Sequence, residues 1–187
     1  MENEADLLSF TIALDGIGMI IHQANPIGSL SKQQIIDIYT GKIVNWQEVG
    51  GNNAPITVVN KAEGRSTLEL FLHHFALKNT QVKPHIVIGD NQQGIKSVSG
   101  NPDAIAYVSI GSAEYDATHN VPIKLLPLDG IVASVANVRN RSFPLSRPLN
   151  LITREAPTGI AKEFIEFARS VQVNDLIEAQ YFVPIAH

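Results

Sequence analysis

The stretch Ile56–Phe75, ITVVNKAEGRSTLELFLHHF, changes its periodicity partway along. The apolar run Ile56-Thr57-Val58-Val59 reads as a strand and stops at Asn60. From Ser66 the apolar residues Leu68, Phe71, Leu72 and Phe75 recur at helical spacing, which predicts a helix from Ser66 to Leu77. Lys61, Gly64, Arg65, Ser66 and Thr67 fill the junction. A strand that passes through a short loop into a helix is the repeating unit of α/β folds. The junction supports two readings. A helix N-terminus carries unpaired amide hydrogens and a partial positive charge, so it can seat an oxyanion. Gly64 would let the backbone approach, Ser66 and Thr67 would donate hydroxyls, and Lys61 and Arg65 would add charge-assisted bonds. Alternatively, Ser66-x-x-Glu69 is a capping box that takes two of those donors for the helix itself.

The same alternation extends in both directions. FTIALDGIGMIIHQANP reads as strand, broken at Asp15-Gly16 and ended by Asn25-Pro26. SLSKQQIIDIYTG reads as a helix capped by Ser29 or Ser31 and stopped at Gly41. NWQEVGGNNAP is a loop that turns at Gly50-Gly51-Asn52-Asn53. Beyond Phe75, KPHIVIGD, AIAYVSIG, VPIKLLPLDG and RPLNLITR read as strands. NQQGIKSVSGNP and TGIAKEFIEFARSV read as helices, the latter with Ile160, Phe164, Ile165 and Phe167 facing inward. The fold class is therefore α/β.

Composition narrows the function. The chain has 187 residues, 44% hydrophobic and 17% charged, with a net charge of −4. That describes a folded chain of one domain or two small lobes. Mild acidity does not argue for nucleic acid or an anionic membrane surface, and no apolar run is long enough to span a bilayer. There is no cysteine, which rules out thiolate nucleophiles and Cys-ligated zinc but suits either an oxidising compartment or the cytosol. The opening MENEADLLSF has neither the basic nor the apolar region of a leader, as expected of a chain that is not exported or of a mature form.

The order of the segments carries a resemblance. IALDGIGMIIHQANPIGSLSKQQIIDIYTGKIVNWQEVGG followed by APITVVNKAEGRST is similar to the phosphate-binding proteins of bacterial ABC phosphate importers. Asp15-Gly16, Asn25-Pro26, Leu30 to Gln34, Tyr39 to Trp46 and Gly50-Gly51 to Ile56 fall in the family's order, and NPDAIAYVSIG and FPLSRPLNLITR resemble two later segments. The resemblance runs from about Ile12 to Pro184. It implies a periplasmic binding protein-like type II fold, α/β, with two lobes and an anion held between them. It also implies a non-enzymatic role without a cofactor, an extracytoplasmic location, and delivery of the anion to an ABC permease.

Two departures qualify what it implies. Aligned on Gly64 and Thr67, this chain has Lys61 where the family has a phosphate-binding Arg. Arg65 stands at a Ser, Ser66 at a Gly and Leu68 at a second Arg, while Thr67 matches. Lys61 keeps the charge but loses the bidentate fork. The family also begins with a further segment, carrying a second anion loop and an Asp, that has no counterpart here. In those terms residues 26–124 form a complete lobe, and residues 6–25 and 125–187 a partial one that lacks its N-terminal segment. The expectation is weak or altered oxyanion binding at Lys61, Gly64, Arg65, Ser66 and Thr67. The alternative is a degenerate member that binds no small ligand and acts as an interaction or sensory module. Apolar surface on the partial lobe would favour a homo-oligomer.

Other chemistry is thin. His73 and His74 are adjacent on a helix and cannot share a metal, and His22, His85, His119 and His187 are scattered. Asp90, with Gln92 and Gln93, suits a helix cap, Asp129-Gly130 a turn, Trp46 a packing anchor, and Arg147 a structural ion pair. No G-x-S-x-G elbow and no P-loop occurs.

Overall fold

The organising element is one long strand, β1, Leu8–His22. A computed structural model describes residues 7–185. Asp6 and His187, the outer bounds of the expected partial lobe, lie outside those residues. The first half of β1 pairs antiparallel with β6, Ser146–Thr153, from Leu8↔Thr153 to Gly16↔Ser146. Two residues of the same half, Ala13 and Leu14, also pair with β7, Val183–Pro184. The second half pairs antiparallel with β4, Ala104–Ser109, and with β5, Ile123–Leu125. Parallel strands β2, Thr57–Lys61, and β3, Ile86–Ile88, extend that side to the order β3-β2-β4-β1-β5.

β1 corrects two expectations. Asp15-Gly16 is no break, because the strand continues through both residues. Gly16 is required for close packing rather than for a turn: a Cβ there would lie 2.3 Å from Val138 Cγ2. Residues 17–22, assigned by the expected boundary to the partial lobe, pair within the five-stranded side instead. A strand this long serves both sheets, so no single boundary at Asn25 divides them.

Helices follow β2, β3 and β4: α2, Ser66–His74; α3, Asn91–Ser99; and α4, Ile110–Thr118. α1, Lys32–Tyr39, starts at Ser31, which forms a capping box with Gln34. The expected loop after Asn45 holds a single 3-10 turn, Trp46–Val49, capped by Asn45. Trp46 is buried and its indole donates to the Asp103 carbonyl at 3.0 Å, so it anchors packing. Asp129 and Gly130, at φ 51° and 79°, make the expected turn between Leu128 and Ile131.

The core is concentrated on the five-stranded side. Tyr39, Phe71, Phe75 and Tyr107 form an aromatic cluster in which Phe71 and Tyr107 stack with centroids 4.1 Å apart. Such pairs add about 0.5–1.5 kcal/mol each beyond their area burial. They also fix α2 over β2 and β4. The other side is sparse. α5, Val135–Arg139, buries Val138. α6, Gly159–Ala168, buries only Ile165. The inward placement of Ile160, Phe164 and Phe167 is therefore corrected, since they are 85%, 58% and 49% exposed. The last helix, α7, Asn174–Ala179, buries no residue.

Candidate functional site

β2, β3 and β4 run parallel, so their carboxyl ends lie along one edge of the sheet. Each leads directly into a helix, which brings the N-termini of α2, α3 and α4 to that edge. Ligands of open α/β sheets bind at such carboxyl edges, where helix termini supply amide donors.

The junction after β2 separates the two readings of its sequence. Gly64 takes φ +76°, a left-handed conformation, and turns the chain into α2. The N-cap is then Arg65, in extended conformation and with no side-chain cap bond. Its carbonyl accepts the N–H of Leu68 at 2.9 Å and of Glu69 at 3.2 Å. Ser66 is thus the first helical residue, one position too late to cap. The expected capping box does not form, because it needs Ser66 at the N-cap, outside the helix. Among the described residues nothing accepts the backbone N–H of Arg65, Ser66 or Thr67. Glu69 is exposed and does not reach back.

The two cations occupy different environments. Lys61 ends β2 and is 3% exposed. Its Nζ donates to Asn91 Oδ1 at 3.0 Å. Burial lowers its pKa to about 8; Asp90 opposes that shift, Arg65 adds to it, and Asp15 opposes it more weakly. Arg65 is exposed, with Nη2 beside Gly89, 3.6 Å from where a Cβ would stand. Among the described residues neither cation forms a salt bridge. Gly64 and Ser66 are exposed and Thr67 is half-buried, so Gly64, Arg65, Ser66 and Thr67 lie at the surface, while Lys61 is buried at the end of β2. Leu68, at the family's second Arg, is buried in the core and supplies packing instead of charge.

Several contributors escape a reading along the chain. Asn91, the first residue of α3, accepts from both Lys61 Nζ and the backbone N–H of Ser109, at 3.0 and 3.3 Å. Asp90 caps α3 by accepting from Gln93 N–H. Tyr107 donates to Asn60 Oδ1 at 2.6 Å and accepts the Lys61 N–H at 3.3 Å, which fixes the end of β2. Burial pushes the Tyr107 hydroxyl well above its usual range, so it stays a neutral donor. Asp15, 3% exposed, accepts from Ser109 Oγ at 2.8 Å and pairs with Arg147 at 3.1 Å. The ion pair expected of Arg147 is therefore a tie across strands β1 and β6 at the point where β1 changes sheets. Of these, only Asp90 and Arg147 had a local signal, as cap and ion pair. Asn91 and Ser109 depend on separate strands meeting.

Two sheets joined by one shared strand, with three helix N-termini along a carboxyl edge, make an α/β module that presents amide donors along one edge. The chain belongs to the PBP superfamily, whose domain profile matches residues 2–171. Within it, the chain is a member of the family of phosphate ABC transporter substrate-binding proteins. One such protein from Clostridium perfringens, with bound phosphate, is 33% identical and superposes with a TM-score of 0.81 over 99% of this chain and 74% of that one. An ABC-type phosphate transport receptor from Vibrio cholerae is 29% identical, with a TM-score of 0.82 over 97% and 74%. The phosphate-binding protein PstS of Bacillus subtilis is 26% identical over 180 residues, 96% of this chain and 58% of its own length. The chain thus spans less than two thirds of that curated relative. The family is one of binding proteins for transport and not of enzymes, and no helix of the described residues is long and apolar enough to cross a membrane.

Proposed function

We propose that this chain binds phosphate or a similar tetrahedral oxyanion at the N-terminus of α2, as a substrate-binding module that serves an ABC phosphate importer outside the cytoplasm. The observation that carries the reading is the unclaimed set of amides at Arg65, Ser66 and Thr67, with the buried ammonium of Lys61 on the same edge. One face of the anion would rest on these amides and on the Ser66 and Thr67 hydroxyls, with Arg65 closing from the solvent side. Residues 26–124, together with 17–22, supply this half of the site. An anion on an open face is held more weakly than an enclosed one, because fewer donors replace its hydration.

A second reading has support of its own. Leu68 in place of a cation and the exposure of Arg65 suit a member that has lost its small ligand and works through protein contacts. Isothermal titration with phosphate and with sulfate, combined with amide shifts at Ser66 and Thr67, separates the two. Saturable shifts at millimolar anion or below, weakened about 5-fold or more in Thr67→Ala, are the expected result. No heat and no shift at 10 mM or so, a concentration that detects millimolar binding, would overturn the proposal in favour of the second reading.

A further inference from the structure

On the reading that an oxyanion binds at the N-terminus of α2, we infer that Asn91 is the positioning residue of that site: its neutral amide oxygen holds the buried Lys61 ammonium at the carboxyl edge without cancelling the charge that an anion uses. Asn91 is half-buried at the start of α3, and its Oδ1 accepts from Lys61 Nζ at 3.0 Å and from the Ser109 N–H at 3.3 Å. Both partners are donors, so the oxygen end of the amide must face them. Three segments of the edge therefore meet at one atom: Lys61 closes β2, Asn91 follows β3 and Ser109 closes β4. Ser109 is itself held, because its Oγ donates to the buried Asp15 carboxylate at 2.8 Å and Asp15 pairs with Arg147. The acceptor is thus fixed before any anion arrives.

The chemistry of that acceptor matters because Lys61 is 3% exposed and, among the described residues, forms no ion pair. The charged groups facing it are Asp90, Arg65 and Asp15, and the Tyr107 hydroxyl accepts its backbone N–H. Asp90 is engaged in capping α3 at Gln93, and Asp15 in the bond from Ser109 and the pair with Arg147. Among the described residues the Asn91 oxygen is the one acceptor of Nζ. Being neutral, it orients the ammonium and leaves its positive charge uncompensated. A carboxylate at the same atoms would orient it equally well but would pair with the charge. The Lys61 pKa, lowered to about 8 mainly by burial, agrees with a cation that lacks a compensating partner.

The test compares wild type with Asn91→Asp and Asn91→Leu, in protein carrying isotope-labelled lysine and no added anion. The Lys61 side-chain NMR signal, assigned by its loss in Lys61→Met, is followed against pH. Asn91→Asp is expected to raise the Lys61 pKa from about 8 by about 1–3 pH units, through an opposite charge in contact. Asn91→Leu is expected to lower it by about 1 pH unit, the value of one lost hydrogen bond to a charged group. Isothermal titration with inorganic phosphate at pH 7 is then expected to show Asn91→Asp weaker by about 10-fold or more, since the new carboxylate claims Lys61 and repels the anion. In Asn91→Leu the pH at which phosphate binding declines is expected to move down together with the Lys61 titration. A Lys61 titration unmoved by both substitutions would overturn the inference, because Asn91 would then only pack the edge. So would an Asn91→Asp variant that binds phosphate as tightly as wild type, because the anion would not use the Lys61 charge; binding through the α2 amides survives that result. If phosphate fails to bind the wild type at about 10 mM, the anion-binding reading falls, while opposite movement of the two titrations still supports Asn91 as the residue that positions Lys61. Should Asn91→Leu fail to fold for want of an acceptor for the Ser109 N–H, Asn91→Asp, which keeps one, decides alone.

Discussion

Lys61→Met pulls stability and binding in opposite directions. In the folded protein the Lys61 pKa is about 8, against an ordinary value of 10.5. Below pH 8 the side chain is charged in both states, and the folded state bears the cost of burying it. Between pH 8 and 10.5 the folded protein has released the proton while the unfolded chain still holds it, so stability rises with pH. A displacement of this size corresponds to about 3 kcal/mol, present above pH 10.5 and absent below pH 8. Methionine keeps the length of the side chain without its charge. At pH 7 the substitution removes that burial cost but forfeits the bond to Asn91, worth about 1.5 kcal/mol because its donor is charged. Urea unfolding without anion is expected to show the variant more stable than wild type by about 1–2 kcal/mol at pH 7, with the advantage gone by pH 10. Anion affinity should fall about 10- to 150-fold, the value of a charge-assisted bond. In the wild type it should decline above pH 8 as the ammonium titrates. A variant less stable than wild type at pH 7, or a difference that does not change from pH 7 to 10, would refute the view that Lys61 is held in place at the expense of the fold.

Two further substitutions test the frame around the site. Gly64→Ala places a Cβ in open space but keeps φ at +76°, so its cost is left-handed strain alone, about 1–2 kcal/mol by thermal unfolding. A loss below about 0.3 kcal/mol would mean that the turn relaxes freely. Arg147→Met strands the buried carboxylate of Asp15 and is expected to cost about 3–5 kcal/mol near neutral pH by urea unfolding. A loss below about 1 kcal/mol, the value of an exposed pair, would show that the tie between Asp15 and Arg147 is not a buried one.

Local rules carried far at the junction after β2. The change from strand to helix between Lys61 and Ser66 and the turn at Asp129-Gly130 both follow from residues within a few positions of one another. The capping box at Ser66 failed on a single dihedral. The left-handed turn at Gly64 makes Arg65 the N-cap and places Ser66 inside the helix. Asp15-Gly16 failed for another reason. The pair has the composition of a turn, but Asp15 is held by Ser109 and Arg147, and Gly16 by its contact with Val138. Their partners lie about 95 to 130 residues away in sequence.

The sequence alone determined the α/β class, the strand-to-helix junction after β2 and the resemblance to a phosphate-binding family. These depend on periodicity, turn chemistry and the order of segments, all properties of neighbouring residues. The tertiary structure alone decided that β1 serves both sheets, that Lys61 is a buried and weakened cation beside Asn91, and that the apolar face of α6 stays in solvent. Burial and pairing are set by which distant strands meet, and a helical pattern is the same whether or not anything covers it.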